Sequence, residues 1–418
     1  MIINILRTAG VRILAALLNL GVIVIAGQQL GAENIGKISL FILAVTLTNL
    51  VAGFAGGSAL VYLIPRNPGK PLLKTANVWA LFTSAATVAL LFLLDAFPRE
   101  LVAYVLIAGV IGSLVQNILN VFLARENIKM HNLFSLLQAI LLFGGMATTC
   151  FLLAMKEIEA YLYAVILAYI IVLVVSWLVL HSTERAHKSA FTQGRSLKTL
   201  FSYGVWVQLA AVFALLTYRL TFYYSEAFIG LAALGILSVG VQISEAVWLL
   251  PKSIATVQYS KISNLKGRED AASLTAFLVV FILFFTSLAV AILVLLPETV
   301  YTFIFGDEFV GVKSVIIALA LGIVLASMNN ILSHFFSGIG RVIINLWSSL
   351  LGFISVAVAG YLLIQGSTIM MAAWVSTFGY SFTFLFSLVA FFVMTKLREL
   401  SLQKGLRILA ERKPAKAV

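Results

Sequence analysis

Charged side chains rarely stand inside long apolar stretches, and this sequence places one arginine and one glutamate there. Arg219 interrupts the stretch 200–223, and Glu245 interrupts the stretch 229–251. Since a charge at mid-depth in a bilayer costs about 3 kcal/mol on insertion scales, Glu245 must be paired, protonated or in contact with water. Arg219 is open to two interpretations: it lines a cavity, or it snorkels to the outer interface among neighbouring tyrosines.

Polar residues around Glu245 recur at helical spacing. Steps of four, three, seven and four residues predict that five of them share one helix face: Ser238, Gln242, Glu245, Lys252 and Thr256. Pro251 lies in the same stretch and predicts a kink, because proline removes a backbone donor and clashes with the preceding turn. The stripe either lines a cavity or joins a neighbouring helix by a hydrogen bond or an ion pair.

Other apolar stretches carry similar polar stripes. Their members are Arg12 and Asn19; Ser113, Asn117 and Asn120; and Ser327, Asn330, His334 and Ser337. The first group either lines a cavity or snorkels to the cytosolic interface. The other two either line a central cavity or form interhelical hydrogen bonds, worth about 1 kcal/mol each. His334 is a candidate for proton coupling and equally fits a structural histidine.

Motifs for catalysis or cofactor binding are missing from the sequence. It has no Walker A loop, no GxSxG motif and no cluster of metal ligands. The single cysteine, Cys150, rules out a disulfide framework. We therefore predict that the protein is not an enzyme, binds no metal and needs no cofactor.

The composition identifies the elements that must position these side chains. The chain is 62% hydrophobic and only 11% charged over 418 residues, with a mean hydropathy of +1.08, which is typical of a membrane protein. Stretches long enough to cross a bilayer lie at 9–29, 38–60, 73–95, 101–123, 132–155, 159–181, 200–223, 229–251, 272–296, 312–336, 342–364 and 369–394. They predict an all-α polytopic membrane protein with about twelve transmembrane helices, the first a retained helix rather than a cleaved signal peptide.

The polar connections predict the domain organisation. The longest of them divides the chain into a six-helix bundle at 1–181, a cytosolic linker at 182–198 and a second six-helix bundle at 199–395. A basic cytosolic tail follows at 396–418, where apolar and basic residues alternate as in a helix lying on the inner leaflet. Docking of a partner protein is the alternative interpretation of this tail.

Basic residues predict the orientation in the membrane. With the N-terminus inside, most of the 28 lysines and arginines fall on the cytosolic side, as the positive-inside rule expects for a bacterial inner membrane. Both termini are then cytosolic. The net charge of +12 follows from this asymmetry and from contact with anionic lipids, so no nucleic-acid partner is predicted.

The second half of the chain repeats the first. Residues 116–122 return as 329–335 and residues 132–137 return as 345–350, both at an offset of 213. Gly31, Gly36 and Ser39 return as Gly230, Gly235 and Ser238 at an offset of 199. An even number of helices per half implies parallel repeats, and transporters are commonly built from two repeats with the substrate site at their interface.

Several segments resemble a known family over nearly the whole chain. They are LGAENIG at 30–36, the stretch 219–263, FGDEF at 305–309 and SGIGR at 337–341. In these segments the chain is similar to Wzx-type polysaccharide flippases of the multidrug/oligosaccharidyl-lipid/polysaccharide exporter superfamily. The resemblance implies two six-helix bundles arranged in a V around a central cavity, which work by alternating access.

The resemblance also implies a substrate and its binding residues. It implies transfer of undecaprenyl-pyrophosphate-linked oligosaccharide across the cytoplasmic membrane for O-antigen or exopolysaccharide synthesis, with membrane lipids and other polysaccharide assembly proteins as partners. Arg12 and Lys252 would receive the pyrophosphate, and Arg219 would hold it nearer the exit. The expected glycan contacts are Asn19, Asn117, Asn120, Gln242 and Asn330, and the expected coupling residues are Glu245 and His334. Thr221 stands where similar proteins often have an aspartate.

Three other functions remain as alternatives. A cation-coupled drug antiporter of the same superfamily would favour carboxylates in the first bundle, and none lies there at mid-depth. A membrane glycan polymerase or ligase would need catalytic groups on a large outer loop, which the sequence lacks. An assembly scaffold for glycan synthesis enzymes is the third alternative.

Overall fold

The structure is a computed structural model that describes residues 2–65, 72–184, 196–263, 265, 267–395 and 401–410. The regular elements in these ranges are α-helices joined by short turns, as expected where lipid offers the backbone no hydrogen-bond partners. The helices are α1 (Ile2–Ala52), α2 (Gly57–Leu63), α3 (Leu72–Leu93), α4 (Val102–Ala124), α5 (Ile128–Ala147), α6 (Glu159–Glu184), α7 (Ser196–Phe228), α8 (Leu231–Ala246), α9 (Leu249–Ile262), α10 (Arg268–Leu295), α11 (Glu298–Phe305), α12 (Val312–Gly338), α13 (Ile343–Leu363), α14 (Ile369–Met394) and α15 (Leu402–Ala410).

The longest apolar segment contains two membrane spans. Ile13–Val61 has 49 residues, which as one straight helix would extend about 74 Å, more than twice the thickness of the hydrocarbon core. Gly31 divides it with φ 79° and ψ 177°, a backbone conformation that is essentially restricted to glycine.

A second interruption separates α8 from α9, which are bent by 47° and together are long and apolar enough for one span. The described residues contain ten helices that could each span a membrane, with Ile13–Val61 counted as one of them. If the segment divided at Gly31 counts as two spans and the bent pair as one, the total is twelve, which is consistent with the predicted number.

The described chain divides into two compact units. Unit 1 comprises 1–215, 222–239 and 298–312, and unit 2 comprises 216–221, 240–297 and 313–418. The core of unit 1 includes the stacked rings of Phe122 and Phe134 between α4 and α5. The core of unit 2 is built around Phe335, Phe336 and Phe391.

A reciprocal helix crossing inside unit 1 relates the two repeats. A Cβ atom at Gly36 would clash with the carbonyl oxygen of Leu231, and one at Gly235 would clash with that of Ala32. Leu231 and Gly235 stand 199 residues after Ala32 and Gly36. The shift of 199 residues that relates the repeated glycines therefore also relates these two contacts to each other. Such symmetry is expected if the two helices are repeats that cross through equivalent surfaces.

Two of the segments that carry the family resemblance meet next to this crossing. The backbone N–H of Ala32 donates to Oε2 of Glu308 at 2.7 Å, and the side chain of Gln28 donates to the carbonyl oxygens of Phe303 and Ile304, both at 3.0 Å. Glu308 thus satisfies a donor that the kink at Gly31 leaves without a helical acceptor.

The tail contains an amphipathic helix that packs against protein in unit 2. The predicted helix is present as α15, where a Cβ atom at Gly405 would clash with the carbonyl oxygen of Ser273 on α10. Ile408 is buried, and Lys404 forms an ion pair with Asp270 at 2.7 Å. Residues 396–400 and 411–418 of the tail, and 185–195 of the predicted linker, lie outside the described residues.

Candidate functional site

The two charged residues that stand in apolar stretches form an ion pair in unit 2. Nη1 and Nη2 of Arg219 on α7 donate to Oε1 and Oε2 of Glu245 on α8, each at 2.6 Å. The two side chains are 21% and 17% exposed. A parallel pair of charge-assisted hydrogen bonds is the strongest arrangement open to these groups. Of the three states expected for Glu245, the structure has the paired one.

Aromatic residues surround this pair. The ring centroid of Tyr218 lies 5.3 Å from that of Tyr380 and 5.4 Å from that of Trp248, and the last two lie 5.9 Å apart. Tyr380 and Trp248 are almost completely buried. Because these rings exclude water, they strengthen the electrostatic attraction between the guanidinium and the carboxylate.

The break between α8 and α9 lies beside this arrangement, and it bears out one prediction and corrects another. The chain leaves the helix at Val247 and Trp248 with a bend of 47°. This is where Pro251 is expected to interrupt a helix, because its ring clashes with the carbonyl of Val247 four residues earlier. The same break divides the polar stripe, so its five residues do not share one face; Ser238 is buried, whereas Lys252 is exposed and lies 5.2 Å from the ring of Trp248.

The polar residues predicted on α12 bond mainly within their own helix. The Asn330 amide donates to the carbonyl oxygen of Ala326 at 3.0 Å, and Nδ1 of His334 lies 2.8 Å from the carbonyl oxygen of Asn330. The His334 ring also contacts Tyr259 edge-on. These contacts fit the structural interpretation of both residues, and their roles in binding and coupling remain predictions.

Four other predicted residues are distributed over the two units. Gln242 lies half-buried on α8. The hydroxyl of Thr221 lies 3.0 Å from that of Ser376, so Thr221 forms an uncharged contact at the position where the resemblance leads us to expect an aspartate. Asn19 on α1 is exposed, and the side chain of Arg12 lies outside those that the structure describes.

Unit 1 contains a polar cavity of about 340 Å³. Asn117 and Asn120 of α4 both line it, which fits the cavity alternative for their stripe, together with Thr46, Asn49, Leu50, Ala52, Gly53, Gly57, Ser113, Gln116 and Gln208. None of these described lining residues is charged. The cavity therefore differs in chemistry from the ion pair of unit 2.

Hydrogen bonds between helices hold the cavity wall in place. Ser113 donates to the Asn49 amide oxygen at 2.8 Å, and Asn117 donates to that of Asn77 at 3.0 Å. Gln208 of α7 donates to the carbonyl oxygen of Leu50 at 2.9 Å. Asn49 and Gln208 are not among the residues predicted from the sequence, because their partners Ser113 and Leu50 lie on other helices far along the chain.

Comparisons with known proteins agree on the fold. No protein-family profile matches the chain, and a search of curated proteins found no match. Among solved structures, an inward-facing MATE multidrug resistance transporter of the MOP superfamily has a TM-score of 0.70 at 15% identity, covering 95% of each chain. The lipid II flippase MurJ, in an inward closed conformation, has a TM-score of 0.68 at 16% identity over 96% of this chain and 90% of its own. A mutant MATE transporter from Vibrio cholerae has a TM-score of 0.64 at 12% identity over 96% and 97%.

These similarities show that the chain is an all-α polytopic membrane protein whose fold is like that of the MATE transporters and of MurJ. The fold class expected from the sequence is confirmed. Both drug transporters and a lipid flippase share this fold, so the substrate must be argued from the side chains.

Proposed function

We propose that the protein is a flippase that moves a pyrophosphate-linked oligosaccharide on a polyprenyl carrier across the bacterial cytoplasmic membrane by alternating access. The observation that carries this proposal is the partly buried pair of Arg219 and Glu245, held by two contacts of 2.6 Å within apolar helices. Such a pair is expensive to place in a membrane and is a functional candidate by default.

The guanidinium of Arg219 suits a pyrophosphate. Its planar fork of N–H donors binds carboxylate and phosphate oxygens in the same bidentate geometry. Glu245 therefore occupies the position that a phosphate oxygen would take, and substrate binding becomes an exchange of one anion for another. Because Arg219 has an anionic partner before and after the exchange, the cost of removing its charge from water stays compensated.

Release of Glu245 requires a second compensation. A carboxylate left unpaired in this aromatic environment would take up a proton or approach another cation. Lys252 carries a cation near the same aromatic cluster, with Nζ 5.2 Å from the Trp248 ring. The exchange thus links anion binding to the charge state of Glu245 and gives this residue its proposed coupling role.

A cation-coupled drug antiporter is the second candidate, and Glu245 is the observation that favours it. A carboxylate that binds a cation must be available to it, and Arg219 holds both oxygens of Glu245. In the first half of the chain, every acidic residue lies at a helix end, a kink or a loop: Glu33, Asp95, Glu100, Glu126, Glu157, Glu159 and Glu184. The flippase is therefore the better-supported function.

Depletion of the protein tests the proposal. We expect lipid-linked oligosaccharide to accumulate in the inner leaflet while its synthesis continues, measured with a labelled lectin on sealed vesicles of known orientation. Restoring the protein should relieve the accumulation. An unchanged glycan distribution, together with increased sensitivity to cationic drugs, would favour the antiporter instead.

A further inference from the structure

The cavity of unit 1 has the chemistry of a site for an uncharged, hydroxyl-rich group. We infer that it binds a sugar residue of the transported lipid, an inference that rests on the proposed function for the identity of the sugar. The cavity combines a suitable size, a lining without charge, one unpaired buried amide and two glycines that leave room for its amides.

The size of the cavity exceeds what a few trapped waters need. Its volume of about 340 Å³ lies in the range of small-molecule pockets, roughly 300–1,000 Å³. If the amides served only to join helices, they would meet one another directly and leave no such space. The helices instead keep the polar groups apart around a void.

The lining selects against ions. The described residues around the cavity carry amides and hydroxyls but no charged group, so an ion transferred there from water would lose its hydration without a counter-charge. Each amide offers two donors and an acceptor, which matches the hydroxyl groups of a sugar, since each of these both donates and accepts.

Asn120 supplies an unpaired donor. Its side chain is 6% exposed, and its Oδ1 lies 3.4 Å from the Nε2 donor of Gln116. Its Nδ2 has no hydrogen-bond partner among the described residues. Nδ2 is closed to water-sized atoms, so it reaches an occupant of the cavity only when the Asn120 side chain turns. Since buried polar groups are almost always hydrogen-bonded, an occupant that accepts from it would satisfy this donor.

Two glycines at the end of α1 keep the amides in place. A Cβ atom at Gly53 would clash with Nε2 of Gln208, and one at Gly56 would lie 2.6 Å from Oδ1 of Asn117. Larger residues at either position would displace these amides. The turn that contains Gly53 therefore belongs to the construction of the cavity and not only to helix packing.

Binding of two lipid probes to the purified full-length chain in lipid nanodiscs tests the inference. The probes are undecaprenyl pyrophosphate and the same lipid carrying N-acetylglucosamine, with dissociation constants measured by microscale thermophoresis. We expect Asn120→Leu to weaken binding of the sugar-bearing probe by about five- to tenfold, the usual effect of one lost hydrogen bond. Binding of the sugar-free probe should stay unchanged.

Two further variants keep the test interpretable. Gln116 is exposed, so Gln116→Leu leaves the core intact and should show the same selective loss if Asn120→Leu fails to fold. The matched control is Asn34→Leu, since the Asn34 amide bonds only to the carbonyl oxygen of Leu30 in its own helix, at 3.0 Å. This control should bind both probes as the wild type does.

The outcomes separate the inference from the proposed function. Equal wild-type affinity for the two probes means that the cavity holds only water, which overturns the inference and leaves the flippase function standing. An equal loss for both probes in Asn120→Leu and Gln116→Leu indicates a structural role and also overturns it. Wild-type binding to neither probe overturns the proposed function, and the sugar site with it.

Discussion

The polar centres of the two units differ in charge. Unit 1 contains a cavity without a charged lining residue among those described, whereas unit 2 holds the bidentate pair of Arg219 and Glu245. Residues at corresponding positions of the repeated segments also differ in their partners. Asn117 bonds to Asn77 of another helix, and Asn330 bonds back to its own helix. Similar local sequences thus support different polar contacts in the two units.

The difference matches the two polar parts of the proposed substrate. A neutral amide cavity suits the glycan, and a guanidinium held by an exchangeable carboxylate suits the pyrophosphate. If unit 1 binds the glycan and unit 2 binds the pyrophosphate, substitutions in the two units should affect different properties of the protein.

The largest effect is expected from Arg219→Gln. Removing the cation leaves the Glu245 carboxylate unpaired in an aromatic environment, which should lower the free energy of unfolding by about 3 kcal/mol and abolish glycan export. Thermal unfolding in detergent and the lectin assay measure the two effects.

Arg99→Gln is the matched control for this substitution. Arg99 also pairs with an acid, Asp95 at 3.0 Å, but the two side chains are 73% and 66% exposed. Its loss should change stability by less than about 0.5 kcal/mol. Similar effects at the two arginines would contradict the importance assigned to the buried pair.

The double variant Arg219→Gln, Glu245→Gln separates stability from function. Two neutral amides can bond to each other without a desolvated charge, so we expect recovery of about 2 kcal/mol relative to Arg219→Gln alone. Export should remain lost, because the pyrophosphate has no arginine to bind. Recovery of export along with stability would show that the pair is structural only.

The reciprocal glycines predict a symmetric pair of smaller effects. Gly36→Ala and Gly235→Ala should each cost about 1–2 kcal/mol, since each new methyl group meets a carbonyl oxygen of the crossing helix. Gly144→Ala is the control, because nothing lies within 4 Å of its added Cβ. Clearly unequal losses, measured by chemical denaturation, would argue against a symmetric crossing.

The smallest effect is expected at the tail of unit 2. The hydrogen bond to Asp270 raises the pKa of Lys404 above its ordinary value, so the pairing stabilises α15 at neutral pH and is lost only as the pH rises through that raised pKa. Lys404→Gln should slightly increase hydrogen exchange in 402–410 at neutral pH. The difference from the wild type should then vanish at strongly alkaline pH, and a difference that persists there would exclude the ion pair as its cause.

Hydropathy predicted most of the fold, because spanning segments need a nearly fixed number of apolar residues. Pro251 indicated the break at Val247 and Trp248, but the hydrogen bond that Trp248 then donates to the carbonyl oxygen of Ile323 could not be predicted. Local sequence contains no signal for such a long-range contact.

The candidate site was predicted in part. Each member of the ion pair was recognised from its apolar surroundings, but their pairing joins residues 26 positions apart on two helices. Asn117 and Asn120 were found from helical spacing. Gln208 was missed because its acceptor, the carbonyl oxygen of Leu50, lies 158 residues away.

The glycine crossing in unit 1 also bears on the energetics of the proposed cycle. Helices that touch through backbone at Gly36 and Gly235 do not interdigitate large side chains there. Separating them therefore exposes little apolar surface, and each Å² that is exposed costs about 25 cal/mol. The crossing therefore adds little to the free-energy cost of any step of the proposed cycle that separates these two helices.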